Sequence, residues 1–412
     1  VFPMPASPPS RTRCPAPASA VPILESLVVQ SLVWKQPGGV EPRFTMLESI
    51  REYAAERLEA SGDTAPTRHR HAEYYLGMAE AVERLTCGPL DMPWLDRIER
   101  DHDNARAALQ RFVDHGDATE ALRLGAALGK FWATRGYLAE GRDHLEAVLA
   151  MPGAQAATRE RATTLVVAAS IADYQGDLVA ARDDLEAALA IWRALSDPLR
   201  IAESLDLLGL NARNRGDYAA GRALLEESLA MHRAMGNQIE IGVVLDRIGH
   251  TALYQGDHDT AWSLLHQSLA IRRGMDDPWG VAYALHNLGL VARDRGEHAA
   301  ARALFGEALE LQRGLDYRIG VVETTDSLGA LALDTGDVAA ARAWFTESLT
   351  LARALGALES LAFQLDGFAG LALAEGCYGR CLHLAGAAAA WRAARGLPLH
   401  PTDFPKLEAW LS

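Results

Sequence analysis

Four aspartates and a histidine fall in one column of this chain at 40-residue intervals: Asp206, Asp246, His286, Asp326 and Asp366, preceded in the same register by Ala126 and Val166. Neighbouring positions of that register add Arg213, Asn214, His250, Tyr254, Tyr283, Arg293, Asp294 and Asp334. Carboxylates only accept hydrogen bonds, so a row of them suits amines and backbone N–H groups. That chemistry fits a peptide, a partner helix or a cationic small molecule. A second reading is that the aspartates pair with arginines such as Arg213 and Arg293 and merely solvate the surface. Exposed pairs are worth about 0–1 kcal/mol, whereas a desolvated ligand contact is worth roughly 2–5 kcal/mol. A column packed in the core would be expected to carry apolar residues, because an unpaired buried Asp is costly.

The column needs elements that repeat as faithfully as it does. Glycine recurs at Gly136, Gly176, Gly216, Gly256, Gly296, Gly336 and Gly376, each ten residues after a column position. Around Gly216, IAESLDLLGLNARNR precedes the glycine and DYAAGRALLEESLAMHRAM follows it. Both halves carry apolar residues at i, i+3, i+4 and i+7, the period of an amphipathic helix. The glycine therefore reads as the left-handed residue that ends the first helix. Asp177, Asp217, Asp257, Glu297 and Asp337 follow it, placed to cap the second helix or complement its positive end.

Seven residues before the turn stand only small residues: Gly129, Ala169, Gly209, Gly249, Gly289, Gly329 and Ala369. Five after it stand Gly141, Ala181, Gly221, Ala261, Ala301 and Ala341. Bulky apolar columns follow at Leu145, Leu185, Leu225, Leu265, Phe305 and Phe345, and one helical turn later at Leu149, Leu189, Leu229, Leu269, Leu309 and Leu349. Small residues allow close helix approach, and large ones fill the core behind them. Breakers such as Ser196-Asp197-Pro198, Gly236-Asn237 and Asp276-Asp277-Pro278 separate the units.

These columns resemble the tetratricopeptide repeat, in a long form with 40 rather than the usual ~34 residues. The resemblance spans about 117–395. It implies an all-α, right-handed α-solenoid of about seven helix pairs. In that family the first helix of each pair lines the concave face, which would set the aspartate column in a groove.

Residues 21–61 differ. VPILESLVVQ reads as a short helix, SLVWKQ and RFTML as strands joined by the turn-rich PGGVEP, and LESIREYAAERLEASG as an amphipathic helix ended by Gly62. Helix, hairpin and helix form the back half of a winged helix. Together with RHRHAEYYLGMAEAVE and WLDRIERDHDNARAALQ, this stretch is similar to the junction of bacterial STAND-type regulators, in which a P-loop ATPase and a winged helix precede tetratricopeptide repeats. The end, LHLAGAAAAWRAARGLPLHPTDFPKLEAWLS, looks like the terminal cap of such proteins. The implied division is 1–20 a Pro/Ala-rich disordered tail, 21–61 a partial winged helix, 62–116 a helical spacer, 117–395 the solenoid and 396–412 a cap.

The chain departs from that family in carrying no GxxxxGK[ST] motif; Gly129-Lys130 sits inside a repeat helix. ATP hydrolysis is therefore not expected, and no basic recognition helix is evident. The odd first twenty residues favour a fragment of a longer, ATPase-containing regulator over a naturally stripped sensor. A formal charge of −14 disfavours a nucleic-acid surface. Lysine occurs only at Lys35, Lys130 and Lys406 among 40 basic residues, a bias typical of GC-rich bacterial genomes. Cys14, Cys87, Cys377 and Cys381 make no CxxC or zinc pattern. VPILESLVVQSLVW is too short to span a bilayer and contains Glu25. No secretory signal or catalytic constellation stands out. The expectation is a cytoplasmic, non-enzymatic sensor without cofactor, metal or membrane, binding a peptide, protein or small-molecule signal. The alternative is a stand-alone scaffold or adaptor.

Overall fold

Two stop signals per unit shape the fold, as the computed structural model of residues 20–35, 44–83, 92–355 and 361–395 shows. The Pro/Ala-rich start up to residue 19, the PGGVEP turn, Cys14, Cys87, Lys406 and the 396–412 cap lie outside the described residues.

The chain forms two compact units, Val1–Tyr75 and Leu76–Ser412. In the first, α1 (Ala20–Val29) leads to the two-residue strands β1 (Trp34–Lys35) and β2 (Phe44–Thr45), antiparallel with Trp34 opposite Thr45. Then comes α2 (Glu48–Ser61), closed by Gly62 at φ 79°. The hairpin is shorter than its sequence suggests. Val33 is the one buried side chain among the described residues up to Ser61, so little apolar contact exists to extend the ladder. Helix α3 (Thr64–Glu83) crosses the division between units.

The second unit continues with α4 (Met92–Arg100) and α5 (His102–His115). Seven helix pairs follow. They are α6 (Ala118–Arg135) with α7 (Leu138–Ala150), α8 (Arg159–Tyr174) with α9 (Leu178–Ala194), and α10 (Pro198–Asn214) with α11 (Tyr218–Met235). Next are α12 (Gln238–Tyr254) with α13 (His258–Gly274), and α14 (Pro278–Asp294) with α15 (His298–Gly314). Last come α16 (Arg318–Asp334) with α17 (Val338–Leu355), and α18 (Leu361–Ala374) with α19 (Tyr378–Arg395).

Each first helix ends alike. Gly256 takes φ 75°, and the Asp257 N–H reaches back to the Ala252 carbonyl at 2.9 Å. This is a Schellman closure, and the same bond recurs after Gly176, Gly216, Gly296, Gly336 and Gly376. The following aspartate then caps the second helix: Asp177, Asp217, Asp257 and Asp337 each accept the N–H three residues on at 3.0–3.1 Å. Glu297 makes no such bond. Its extra methylene carries the carboxylate past the N–H, so it can act there only through the helix dipole.

The small column proves to be a set of sockets. A Cβ on Gly249 would stand 2.9 Å from Leu265, one on Gly289 2.5 Å from Phe305, and one on Gly329 2.6 Å from Phe345. Leu225, Leu265, Phe305 and Phe345 are fully buried against these bare backbones. Ser228, Ser268 and Ser348 staple the two helices of a pair by donating to the Ala202, Gly242 and Val322 carbonyls at 2.8–3.1 Å.

Successive first helices also touch one another directly, α10 with α12, α12 with α14, and α14 with α16. Second helices of successive pairs make no comparable contact. The array therefore bends toward the first helices, and their outward residues line the inner face.

Candidate functional site

The aspartate column lies at the floor of that inner face rather than on its open wall. Asp206 is 7 %, Asp246 1 % and His286 7 % exposed, while Asp326 and Asp366 are half-buried. The partners are not Arg213 and Arg293. Asp206 pairs with Arg247 on the next first helix. Asp246 accepts from Arg272 Nη2 at 2.7 Å and Nε at 3.0 Å, and Asp366 accepts from Arg392 Nη2 at 3.1 Å. Arg272 and Arg392 each stand 26 residues after their aspartate, on the second helix of the same pair. Asp246 and Asp366 are thus answered from across their own pair, and Asp206 from the next unit.

Arg272 continues past Asp246 to Asp277 at 2.7 Å, while Asp277 Oδ1 caps the Gly280 N–H. A Cβ on Gly280 would fall 1.8 Å from the Arg272 guanidinium, so only glycine lets that side chain pass. Burial pushes the Asp246 carboxyl up to about 6, although Arg272 and Ser268 pull it down. Its Oδ1 has no hydrogen-bond partner among the described residues.

Two clusters occupy the wall near the turns. Arg213 donates to the Asn214 side-chain oxygen at 3.1 Å and to His250 Nδ1 at 3.4 Å, and lies 5.8 Å above the Tyr254 ring. Desolvation raises the carboxyl of nearby Asp173, while Asn214 and Arg213 draw it down. One unit on, Arg293 pairs with Asp294 at 3.3 Å and Asp334 at 3.7 Å.

Further along the same helices, toward their N-termini, a cavity of about 290 Å³ opens between α12, α14 and the start of α16. Val243, Asp246, Arg247, Arg272, Trp279, Gly280, Tyr283 and Tyr317 line it. The Trp279 and Tyr317 rings are 4.8 Å apart and tilted by 56°. Burial pushes the Tyr317 hydroxyl up to about 12 and raises that of Tyr283.

Of the residues read from the sequence, Asp246 and Tyr283 meet in this cavity, and Arg213, Asn214, His250 and Tyr254 meet in one wall cluster. Arg293 sits with Asp294 and Asp334 in the other. His286 joins neither cluster: it is buried, its Nδ1 3.0 Å from Thr324 Oγ1 and its ring 5.6 Å from Phe305. Asp206, Asp326 and Asp366 do not enter the cavity lining. Sequence reasoning missed Arg247, Arg272, Trp279 and Tyr317. Arg272 had a signal: second-helix positions 26 residues after Asp206, Asp246 and Asp366 are His232, Arg272 and Arg392, basic types opposite acids.

Burial, with Arg293 nearby, pushes the His286 imidazole down to about 4. A group depressed on folding adds stability above its unfolded value, near 6.5, and loses it as pH falls through the folded value. His286 should therefore cost up to ~3 kcal/mol of stability between pH 6.5 and 4. Asp246 and Asp184, both raised to about 6, act with the opposite sign across nearby pH. Urea titrations of the protein and of His286→Gln isolate the histidine: the difference between their stabilities should change steadily over that window. A pH-independent difference would refute a neutral buried imidazole.

Among the described residues no group of three or more His, Cys, Asp or Glu is placed to hold a metal, and no helix is long and apolar enough to cross a membrane.

What these pairs define is a solenoid of tetratricopeptide type. The tetratricopeptide repeat family profiles match residues 201–235 and 280–354. A stretch of 136 residues, 32% of this chain, is 34% identical to candidate HTH-type transcriptional regulators of Mycobacterium bovis and Mycobacterium tuberculosis. It spans 15% of their length. Among solved structures, the apo form of RapI superposes with TM-score 0.56 at 12% identity, covering 66% of this chain and 98% of its own. A Rap protein complexed with Competence and Sporulation Factor gives TM-score 0.53 at 14% identity, covering 82% and 100%. At such identities the likeness is one of fold.

Proposed function

We propose that the solenoid is the recognition module of a cytoplasmic transcriptional regulator and captures a peptide or protein segment along the inner face of its first helices. The observation that carries this is the ladder of polar groups contributed by successive units. Arg213, His250 and Tyr254 make one rung, Arg293, Asp294 and Asp334 another, and an open cavity lies beside them. Core packing would not require aromatic and charged groups from different units to converge on a solvent-facing wall. An extended peptide can meet such rungs in sequence, and its backbone supplies donors and acceptors for them. The Rap structures support the reading, since one is a complex with Competence and Sporulation Factor and another, a conjugation gene regulator, holds the Phr* peptide. The match to HTH-type regulators supports the setting. The resemblance of residues 21–116 to the junction of STAND-type regulators extends it to a partner ATPase and DNA-binding module, with the solenoid acting by binding rather than by catalysis.

A randomised peptide display library tests this. The protein should enrich a sequence class, and Arg213→Ala with Tyr254→Ala should weaken binding of those peptides by tenfold or more. Failure to enrich, or enrichment indifferent to both substitutions, would overturn the groove reading.

A further inference from the structure

We infer that Arg213 anchors an anion subsite on the inner face and receives the side-chain carboxylate of an aspartate or glutamate in the bound segment. The inference rests on the groove reading and names the chemistry of one rung. Its ground is an arginine without a counter-charge. Among the described residues no carboxylate forms an ion pair with Arg213. Its hydrogen bonds go to the Asn214 side-chain oxygen, from Nε at 3.4 Å and Nη2 at 3.1 Å, and to His250 Nδ1, from Nη1 at 3.4 Å. A guanidinium only donates, so Nδ1 must accept, which makes that imidazole neutral with its proton on Nε2. Asn214, His250 and the Tyr254 ring, the three groups that Arg213 touches, are thus uncharged.

The next arginine of the same column shows what is missing. Counted 80 residues on, Arg293 stands at the place of Arg213, Asp294 at that of Asn214, and Asp334 at that of Tyr254. Arg293 pairs with both acids, at 3.3 and 3.7 Å. The rung at Arg213 keeps the arginine and sets an amide and a phenol ring where those two acids stand. Asp173, exposed on α8, acts on Arg213 across space without an ion pair, and water screens such an interaction.

The guanidinium is also held in place, which lowers the ordering cost of binding. It lies 5.8 Å above the Tyr254 ring. That ring meets His250 edge-on at 4.9 Å and Tyr218 at 5.9 Å. These groups come from α10, α11 and α12, so one helix pair and its neighbour fix the arginine together. Its bonds leave one N–H on Nη1 and one on Nη2, two donors for the two oxygens of a carboxylate. A basic side chain would instead meet an uncompensated positive charge.

The peptide library, displayed with blocked C-termini so that side chains alone supply carboxylates, separates this inference from the reading it rests on. The protein should enrich peptides with aspartate or glutamate at one fixed position. Changing that glutamate to glutamine should weaken binding at least tenfold. The same change should matter little to Arg213→Gln, whereas Arg213→Lys, which keeps the charge, should retain an acidic preference. Arg213→Gln should melt near the temperature of the protein, because Arg213 is half-buried and touches only uncharged groups. If Arg213→Gln does not fold, the intact protein decides: its Arg213 Nε–H resonance should move further with the glutamate peptide than with the glutamine one, and equal movement refutes the subsite. Enriched peptides with no acidic preference, with a basic one, or with a glutamine penalty undiminished in Arg213→Gln would overturn the anion subsite and leave the groove standing. If no peptide is enriched, the groove reading fails and N-acetyl-glutamate α-amide decides the subsite. A dose-dependent shift of the Arg213 Nε–H resonance, absent with N-acetyl-glutamine amide, supports it. No shift, or equal shifts with both, refutes it.

Discussion

Arg272→Ala is expected to destabilise the protein by about 3–5 kcal/mol at pH 7 or above, the cost of removing one partner from a buried ion pair. Asp246 is the reason. It is 1 % exposed, one oxygen has no hydrogen-bond partner, and the other relies on Arg272 and Ser268. Burial already holds its carboxyl at about 6 against the pull of that arginine. Without Arg272 the carboxyl would rise further. A carboxyl raised on folding gives stability below its unfolded value and loses it as pH rises through the folded value. The loss caused by Arg272→Ala should accordingly be larger at pH 8 than at pH 5. Urea denaturation followed by circular dichroism at both values measures it. Adding Asp246→Leu to Arg272→Met should recover much of the stability, since no buried charge remains. A loss under 1 kcal/mol at pH 8 would mean that water reaches the pair.

Phe305→Ala should cost a similar ~3–5 kcal/mol, by a different route: lost apolar burial plus the cavity left behind. Phe305 is fully buried, packs with Leu309, Val321, Leu328 and Leu331, and lies against the bare backbone at Gly289. In a solenoid each unit leans only on its neighbours, so the damage should be local. Hydrogen exchange should quicken in α14–α17 and change little in α6–α9. Uniform quickening along the array would show that the units do not fold as near-independent neighbours. Gly289→Ala offers the reverse error, since its methyl would meet the Phe305 ring at 2.5 Å, and overpacking costs about 1–3 kcal/mol. Combined with Phe305→Leu it should cost less than the two single losses added, because the smaller side chain makes the room.

The pair architecture was legible because each of its features is written as a residue type at a fixed interval. The seven turn glycines all adopt positive φ, and the bulky columns fill the sockets opposite the small ones. A left-handed turn and a close helix crossing each constrain one position and admit few residues, so a single chain shows them plainly. The candidate site was legible only in part. Tyr283 and Asp246 fall in the lining of one cavity, but the column rule placed Asp206, Asp246 and His286 on an open wall, where the structure buries them. Periodicity reports which residues share a face of a helix. It does not report how far round that face the neighbouring helix reaches.

The pairing of charges shows the same boundary. A 40-residue register is sufficient for the number of helix pairs, their stops and the residues that pack between them, since local backbone preference and apolar period suffice for those. It left open that Arg272 answers Asp246 while Arg213 turns to Asn214 and His250. Charges act through space over several ångströms and are carried on long, rotatable side chains. Their partners therefore depend on how three successive units are packed, and that is a property of the folded array rather than of any one column.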